Sequence, residues 1–226
     1  MTVNMFGLVA LVLATTLIVA VTFAIVTDGR YFGKPLVRWI YDRLGPQIFA
    51  ARSEHVTWNE LAARLDLRAG DRFLDIGTAV GDLPISLAVQ GEPPVRAIGL
   101  EISMPMARAA DRSAKLRGVA DKTGFVVADA ASPLPFVNNA FGCAAALGVL
   151  ETLRDPTITL REMDRVLQPD GILVLSVYTG PSSWVASLGE GWYRQQLGRL
   201  GPYRCRRVRL RRSHDALLAH RSISHD

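Results

Sequence analysis

The apolar pattern of the chain has two parts, one unbroken run followed by short apolar stretches that alternate with amphipathic ones. From Met5 to Val26 there are 22 residues without a charge, rich in Leu, Val, Ala and Ile. At 1.5 Å per residue this run extends about 33 Å, against about 30 Å for the hydrocarbon core of a bilayer, and it predicts one transmembrane helix. A cleaved secretory signal is the competing reading, but such signals have a basic start and a shorter apolar run. Here no Lys or Arg precedes the run, whereas Arg30, Lys34, Arg38 and Arg43 follow it. The positive-inside rule then places the remainder of a single-pass membrane protein in the cytoplasm. Tyr31, Phe32, Trp39 and Tyr41 are interleaved with these bases, which suits a segment at the headgroup level and equally suits ordinary helix packing.

After the anchor, assigned to residues 1–28, residues 29–56 read as a juxtamembrane connector. A helix is expected over 35–44, with Pro35 in its first turn and Gly45-Pro46 as its stop. A second is expected over 57–67, where Thr57 and Glu60 form a capping box and Leu61 and Leu65 share a face. Apolar runs at 72–76, 95–100, 125–128, 141–147 and 172–177 then alternate with helical stretches at 83–89, 105–117 and 157–167. Such alternation predicts an α/β fold with a doubly wound parallel sheet covered on both faces, whose ligands lie at the carboxyl ends of the strands. Beyond Gly180 a loop or short helix leads to a terminal antiparallel hairpin over 204–211 and 216–222.

Charge refines this picture. The formal net charge is +5, yet eight arginines between Arg194 and Arg212 contribute +8 with no acid among them, so the remainder carries −3. A basic patch of this kind draws polyanions, either an anionic lipid surface or nucleic acid. Cys143 and Cys205 lack C-x-x-C spacing, so neither a disulfide framework nor a zinc site is indicated. No other metal-ligand cluster stands out.

The segment Phe73-Leu-Asp-Ile-Gly-Thr-Ala-Val-Gly-Asp82 runs from a buried strand into a glycine-spaced turn and a helix start, an arrangement that cradles nucleotides. The first three strands end near Asp75, Glu101 and Asp129, which puts three carboxylates on one edge of the sheet. Glu101, at the second strand end, is placed to accept from both ribose hydroxyls. Asp129, with Ala130, is placed to meet an adenine ring, and Asp75 to orient the glycine turn. Each acid taken singly also fits a solvated strand end or a helix cap.

Asp75-Ile-Gly-Thr-Ala-Val-Gly81, Gly99-Leu-Glu-Ile-Ser103, Ala128-Asp-Ala130, and Leu160-Arg-Glu-Met-Asp-Arg-Val-Leu-Gln-Pro-Asp-Gly-Ile-Leu-Val-Leu175 together resemble class I S-adenosylmethionine-dependent methyltransferases. The likeness covers roughly residues 57–180 and is nearest to the quinone, lipid and small-molecule branch. It implies a Rossmann-like, mostly parallel seven-stranded sheet with the last strand antiparallel, here over residues 57–226 with a basic hairpin at 194–226. It implies S-adenosylmethionine as cofactor, with Gly77, Thr78 and Gly81 in the turn beneath the methionine part, and Asp75 and Asp82 near its amino or carboxylate end. Glu101 would hold the ribose, Ile102 would flank the adenine, and Asp129 and Ala130 would complete the adenine site. Three departures stand out. Ala79 occupies a usual glycine position, Gly142 replaces a common Asp and implies a lost cap or surface contact, and Leu150-Glu151-Thr152 stands where relatives often carry histidine.

Methyl transfer from a sulfonium is an in-line displacement in which positioning supplies most of the acceleration. A carbon or oxygen acid as acceptor needs a base, for which Glu151, Tyr178 and His55 are the candidates. His214, His220 and His225 read as solvated tail residues. The expected activity is methyl transfer to a membrane-associated lipid, quinone or other small hydrophobic acceptor. The alternatives are an RNA or protein methyltransferase using the arginine cluster, and a non-catalytic S-adenosylmethionine-binding membrane protein.

Overall fold

A computed structural model describes residues 5–26, 34–51, 55–91, 94–179, 188–210 and 214–222. Three helices come first, α1 (Met5–Val26), α2 (Lys34–Ala51) and α3 (His55–Ala62). The alternating part follows as β1 (Arg72–Ile76), α4 (Asp82–Gln90), β2 (Arg96–Glu101), α5 (Met104–Leu116), β3 (Thr123–Val127), β4 (Phe141–Ala146), α6 (Pro156–Val166) and β5 (Leu167–Tyr178). Then come α7 (Glu190–Leu200), β6 (Tyr203–Val208) and β7 (His214–Arg221). The seven strands lie in the order β3-β2-β1-β4-β5-β7-β6. Those from β3 to β5 are parallel, and β7 runs antiparallel to both β5 and β6.

The strand period of two sends neighbouring residues to opposite faces. On one face Leu74, Ile76, Ala144, Leu173 and Leu175 pack with Met163 of α6 and Tyr193 of α7. On the other, Phe73, Cys143, Ala145 and Val174 pack with Leu61 of α3 and Leu83 of α4. All six residues of β4 are buried, as a central strand covered on both sides must be.

Several expectations change. Gly45-Pro46 does not end α2, which continues through Pro46 to Ala51. A Cβ on Gly45 would lie 2.6 Å from Met106 Sδ, so this glycine seats α2 against α5. Helix α3 begins at His55, ahead of Thr57, so Thr57 is an inner residue and not an N-cap. Gly142 lies within β4, and the place of its missing Cβ is filled by the Asp71 carboxyl at 2.8 Å. The arginine-rich stretch is no tail: Arg194 pairs with Glu190, and Arg207 with Asp215 and Glu190, while Arg204, Arg206 and Arg209 are exposed. His220 is half-buried in β7. Arg211, Arg212, His225 and the side chain of His214 lie outside the described residues.

Among the described residues no helix is long and apolar enough to cross a membrane, so the expected span is not established. Helix α1 does form over the apolar run, and its side chains are described for residues 7–20, 22 and 23, where Leu11, Leu13, Leu17 and Val19 are each more than half exposed.

Arg165 explains why the segment before β5 is so distinctive in sequence. Its guanidinium bonds both Glu162 oxygens at 2.9 and 2.7 Å. It also donates to the carbonyls of Phe136 at 2.8 Å and Leu134 at 3.0 Å, and to Asn138 Oδ1 at 2.9 Å. One forked side chain on α6 thus clamps the loop between β3 and β4, a geometry that lysine cannot reproduce. Arg165→Lys is expected to cost about 1–3 kcal/mol, read as a Tm lower by several degrees in a thermal melt; an unchanged Tm would contradict the clamp.

Candidate cofactor and acceptor site

The turn after β1 is folded against the end of β2. The amides of Gly77 and Thr78 donate to the Leu100 carbonyl at 2.8 and 3.1 Å, and the Ala79 amide donates to Glu101 Oε2 at 2.9 Å. Glu101 Oε1 accepts from the Ser103 amide at 2.9 Å. The Ile102 amide also bonds the carboxyl, and with two lone pairs on each oxygen part of its accepting capacity remains. Glu101 is 4% exposed, and burial raises its carboxyl above the usual range while the Ser103 and Ala79 amides pull it down.

Ala79 adopts φ +53°, the left-handed region that costs an L-residue about 1–2 kcal/mol. Ala79 thus holds a backbone conformation that glycine would adopt without this strain. Gly77 and Gly81 are also left-handed, at +70° and +80°, but they serve different purposes. A Cβ on Gly77 would stand 2.8 Å from Val149 Cβ, so this glycine lets the turn meet the loop after β4 at the cavity wall. A Cβ on Gly81 would meet the Phe125 ring and Ala110 at 2.7–2.8 Å, so Gly81 packs the start of α4 against β3 and α5.

A cavity of about 1190 Å³ opens over the carboxyl ends of the strands. The ends of β1 to β3 contribute Gly77, Ala79, Glu101, Ile102, Asp129 and Ala130. The ends of β4 and β5 contribute Leu147, Gly148, Val149 and Tyr178, and α2 adds Arg38, Tyr41 and Phe49. Ligand pockets are commonly about 300–1,000 Å³, so this space is large for a single small molecule. Asp129 Oδ1 accepts from the Ala131 amide at 2.9 Å, and the Ala130 carbonyl accepts from Thr159 Oγ1 at 2.7 Å, which fixes the loop after β3.

Of the predicted cofactor residues, Gly77, Glu101, Ile102, Asp129 and Ala130 line the cavity, whereas Asp75, Thr78, Gly81 and Asp82 do not. Asp75 and Thr78 are buried within the fold, and Asp82 opens α4. Tyr178 lines the cavity, its hydroxyl 3.0 Å from the place a Cβ on Gly148 would take. Glu151 does not line it. This buried residue accepts at Oε1 from Ser176 Oγ at 2.9 Å and from the Tyr193 hydroxyl at 3.1 Å, which corrects its reading as a base facing the cleft. His55 is the first residue of α3, and its side chain lies outside the described residues. Among the described residues no His, Cys, Asp and Glu group could hold a metal ion. Sequence reasoning missed Ala79 as a lining residue and the whole contribution of α2, whose signal was the small Gly45 rather than any polar motif.

Residues 74–175 match the family described as a methyltransferase domain. The 27-O-demethylrifamycin SV methyltransferase of Amycolatopsis mediterranei is 37% identical over 117 residues, 52% of this chain and 42% of that one. The ubiquinone/menaquinone biosynthesis C-methyltransferase UbiE of Hahella chejuensis is 30% identical over 134 residues, 59% of this chain and 53% of that one. The chain thus spans about half the length of the curated relatives it matches. A solved SAM-dependent methyltransferase from Aquifex aeolicus shares the fold with a TM-score of 0.66 at 17% identity, over 78% of this chain and 98% of that one. S-adenosylmethionine fits the geometry of the site: the 77–79 turn and the buried Glu101 carboxyl, which keeps accepting capacity for a ribose hydroxyl, line one cavity.

Asp75 gives the domain a pH signature. Burial pushes its carboxyl up to about 7, the Glu101 and Asp82 charges add to this, and the Thr78 hydroxyl pulls it back. The folded value lies above the unfolded one, so this stabilising contribution is complete below about pH 4 and is lost as pH rises through 7. Asp75→Asn, which cannot ionise, should gain about 2–3 kcal/mol on the unaltered protein between pH 5 and pH 8. Denaturant melts at the two pH values check this, and a difference independent of pH would contradict it.

Proposed function

We propose that the protein transfers a methyl group from S-adenosylmethionine to a small lipophilic acceptor, and that α1 attaches it to a membrane. The observation that carries the transfer reading is the two-sided cavity. Its β1 to β3 side is polar and glycine-bearing, and its β4, β5 and α2 side is walled by Phe49, Leu147, Val149, Leu153 and Ile158. An apolar wall of that extent suits an acceptor with hydrocarbon or ring character. The quinone-type and rifamycin-type activities named for the two relatives support the same class.

When bound, S-adenosylmethionine supplies a methyl group on a sulfonium with a neutral thioether as leaving group. Glu101 would hold the ribose, Asp129 and Ala130 the adenine, and the 77–79 turn the methionine end. The wall after β4 would keep the acceptor in line and water out, so the chain contributes orientation. Of the candidate bases whose side chains are described, Tyr178 is the one that lines the cavity, and it would take or share an acceptor proton.

Attachment by α1 rests on its composition and surface. The helix has 22 residues without a charge, its described side chains face outward, and the hydroxyls of Thr15 and Thr16 bond the carbonyls of Leu11 and Val12 at 2.8 Å. Polar groups satisfied within their own helix are compatible with lipid. The bases that follow α1 favour a cytoplasmic catalytic domain.

The test is to incubate membranes containing the protein with methyl-labelled S-adenosylmethionine and partition the products. Label is expected in the organic extract; label confined to the protein or aqueous fraction would overturn the lipophilic acceptor.

A further inference from the structure

Behind the cavity wall lies a buried polar group that no step of methyl transfer uses. Glu151 is 3% exposed and Tyr193 and Ser176 are fully buried. Both hydroxyls donate to Glu151 Oε1, at 3.1 Å from Tyr193 and 2.9 Å from Ser176. The Ser176 oxygen in turn accepts from the Gly148 amide at 2.9 Å. The network therefore ties three elements together: the 3₁₀ turn Leu150–Thr152, the strand β5 and the helix α7.

Its outlet is the loop after β4. Gly148 sits at φ +79°, and Val149 beside it is the residue that a Cβ on Gly77 would strike at 2.8 Å. Gly148, Val149 and Gly77 all line the cavity. The Gly148 amide is thus fixed from behind by Ser176 while its neighbour presses on the glycine turn from the front. The Glu101 side is held separately, by the Ala79 and Ser103 amides. The cavity therefore has two supports that share no side chain.

We infer that Glu151, acting through Ser176, is a positioning residue that sets the Gly148-Val149 wall against the Gly77 turn and so fixes the methionine end of the cofactor, independently of the adenosine end. The inference rests on the S-adenosylmethionine reading of the site. Burying a carboxylate is costly unless it is hydrogen-bonded, and here two hydroxyls donate to Oε1 while Ser176 still accepts from the backbone. Truncating Ser176 severs the link at its centre and removes only one oxygen from the core. Glu151→Gln keeps an acceptor oxygen and so keeps the link.

Two probes separate the ends of the site. S-adenosylhomocysteine carries adenosine and the amino-acid part, whereas methylthioadenosine carries adenosine and sulfur without it. Calorimetric titrations of the full chain with both are expected to show that Ser176→Ala weakens S-adenosylhomocysteine about five- to tenfold, the worth of about one hydrogen bond, and leaves methylthioadenosine within about twofold. Tyr193→Phe should give a smaller loss of the same kind, and Glu151→Gln should retain the affinity of the unaltered protein for both. Equal losses for the two probes, or no loss for either in a folded Ser176→Ala protein, overturn the inference alone. If the unaltered protein binds neither probe, the cofactor assignment falls and the inference falls with it.

Discussion

The geometry of the site depends on one buried carboxylate that joins two backbone segments. Glu101 ends β2, accepts the Ala79 amide on one oxygen and the Ser103 amide on the other, and thereby holds the turn after β1 at the mouth of the sheet. Hydrogen bonds to a charged acceptor contribute about 1.5–3 kcal/mol each, while the left-handed Ala79 costs about 1–2 and burial adds its own penalty. A neutral acceptor would scarcely hold the strained turn, which is why a carboxylate at this position does structural work before any ligand arrives.

Around that joint the cavity is assembled from parts of unlike stability. The strand ends are backed by a core filled on both faces of the sheet, and the Arg165 clamp braces the loop before β4. Helix α2 is different: it reaches the site over α5 through the close contact at Gly45 and brings Arg38, Tyr41 and Phe49 to the wall. It also brings Asp42 near enough for its charge to add to the raised Glu101 carboxyl. The segment that follows the apolar α1 is thus itself part of the cavity wall.

Much of this was legible in the sequence for physical reasons. Strands buried on both faces read as continuous apolar runs, and the predicted β1 range coincides with the observed Arg72–Ile76. Carboxylates at strand ends are legible because topology alone puts them on one edge, and Glu101 and Asp129 are found there. Tertiary contacts were not legible. Gly45-Pro46 has the composition of a stop, yet Gly45 is small because Met106 lies against it. Gly81 belongs to a nucleotide motif, but its missing Cβ makes room for Phe125 and Ala110. Glu151 follows a strand end as a base would, but the turn Leu150–Thr152 rotates its carboxyl inward to partners 25 and 42 residues away in sequence. Local pattern records spacing and polarity; it does not record which way a short turn aims a side chain.

The most direct test of the central role of Glu101 is a calorimetric titration of S-adenosylmethionine into the unaltered protein and into Glu101→Gln, a change that keeps the shape and removes the charge. Saturable one-to-one binding that weakens about ten- to hundredfold in the variant, with the fold retained by circular dichroism, is the predicted result. Equal affinity in the two proteins would contradict it.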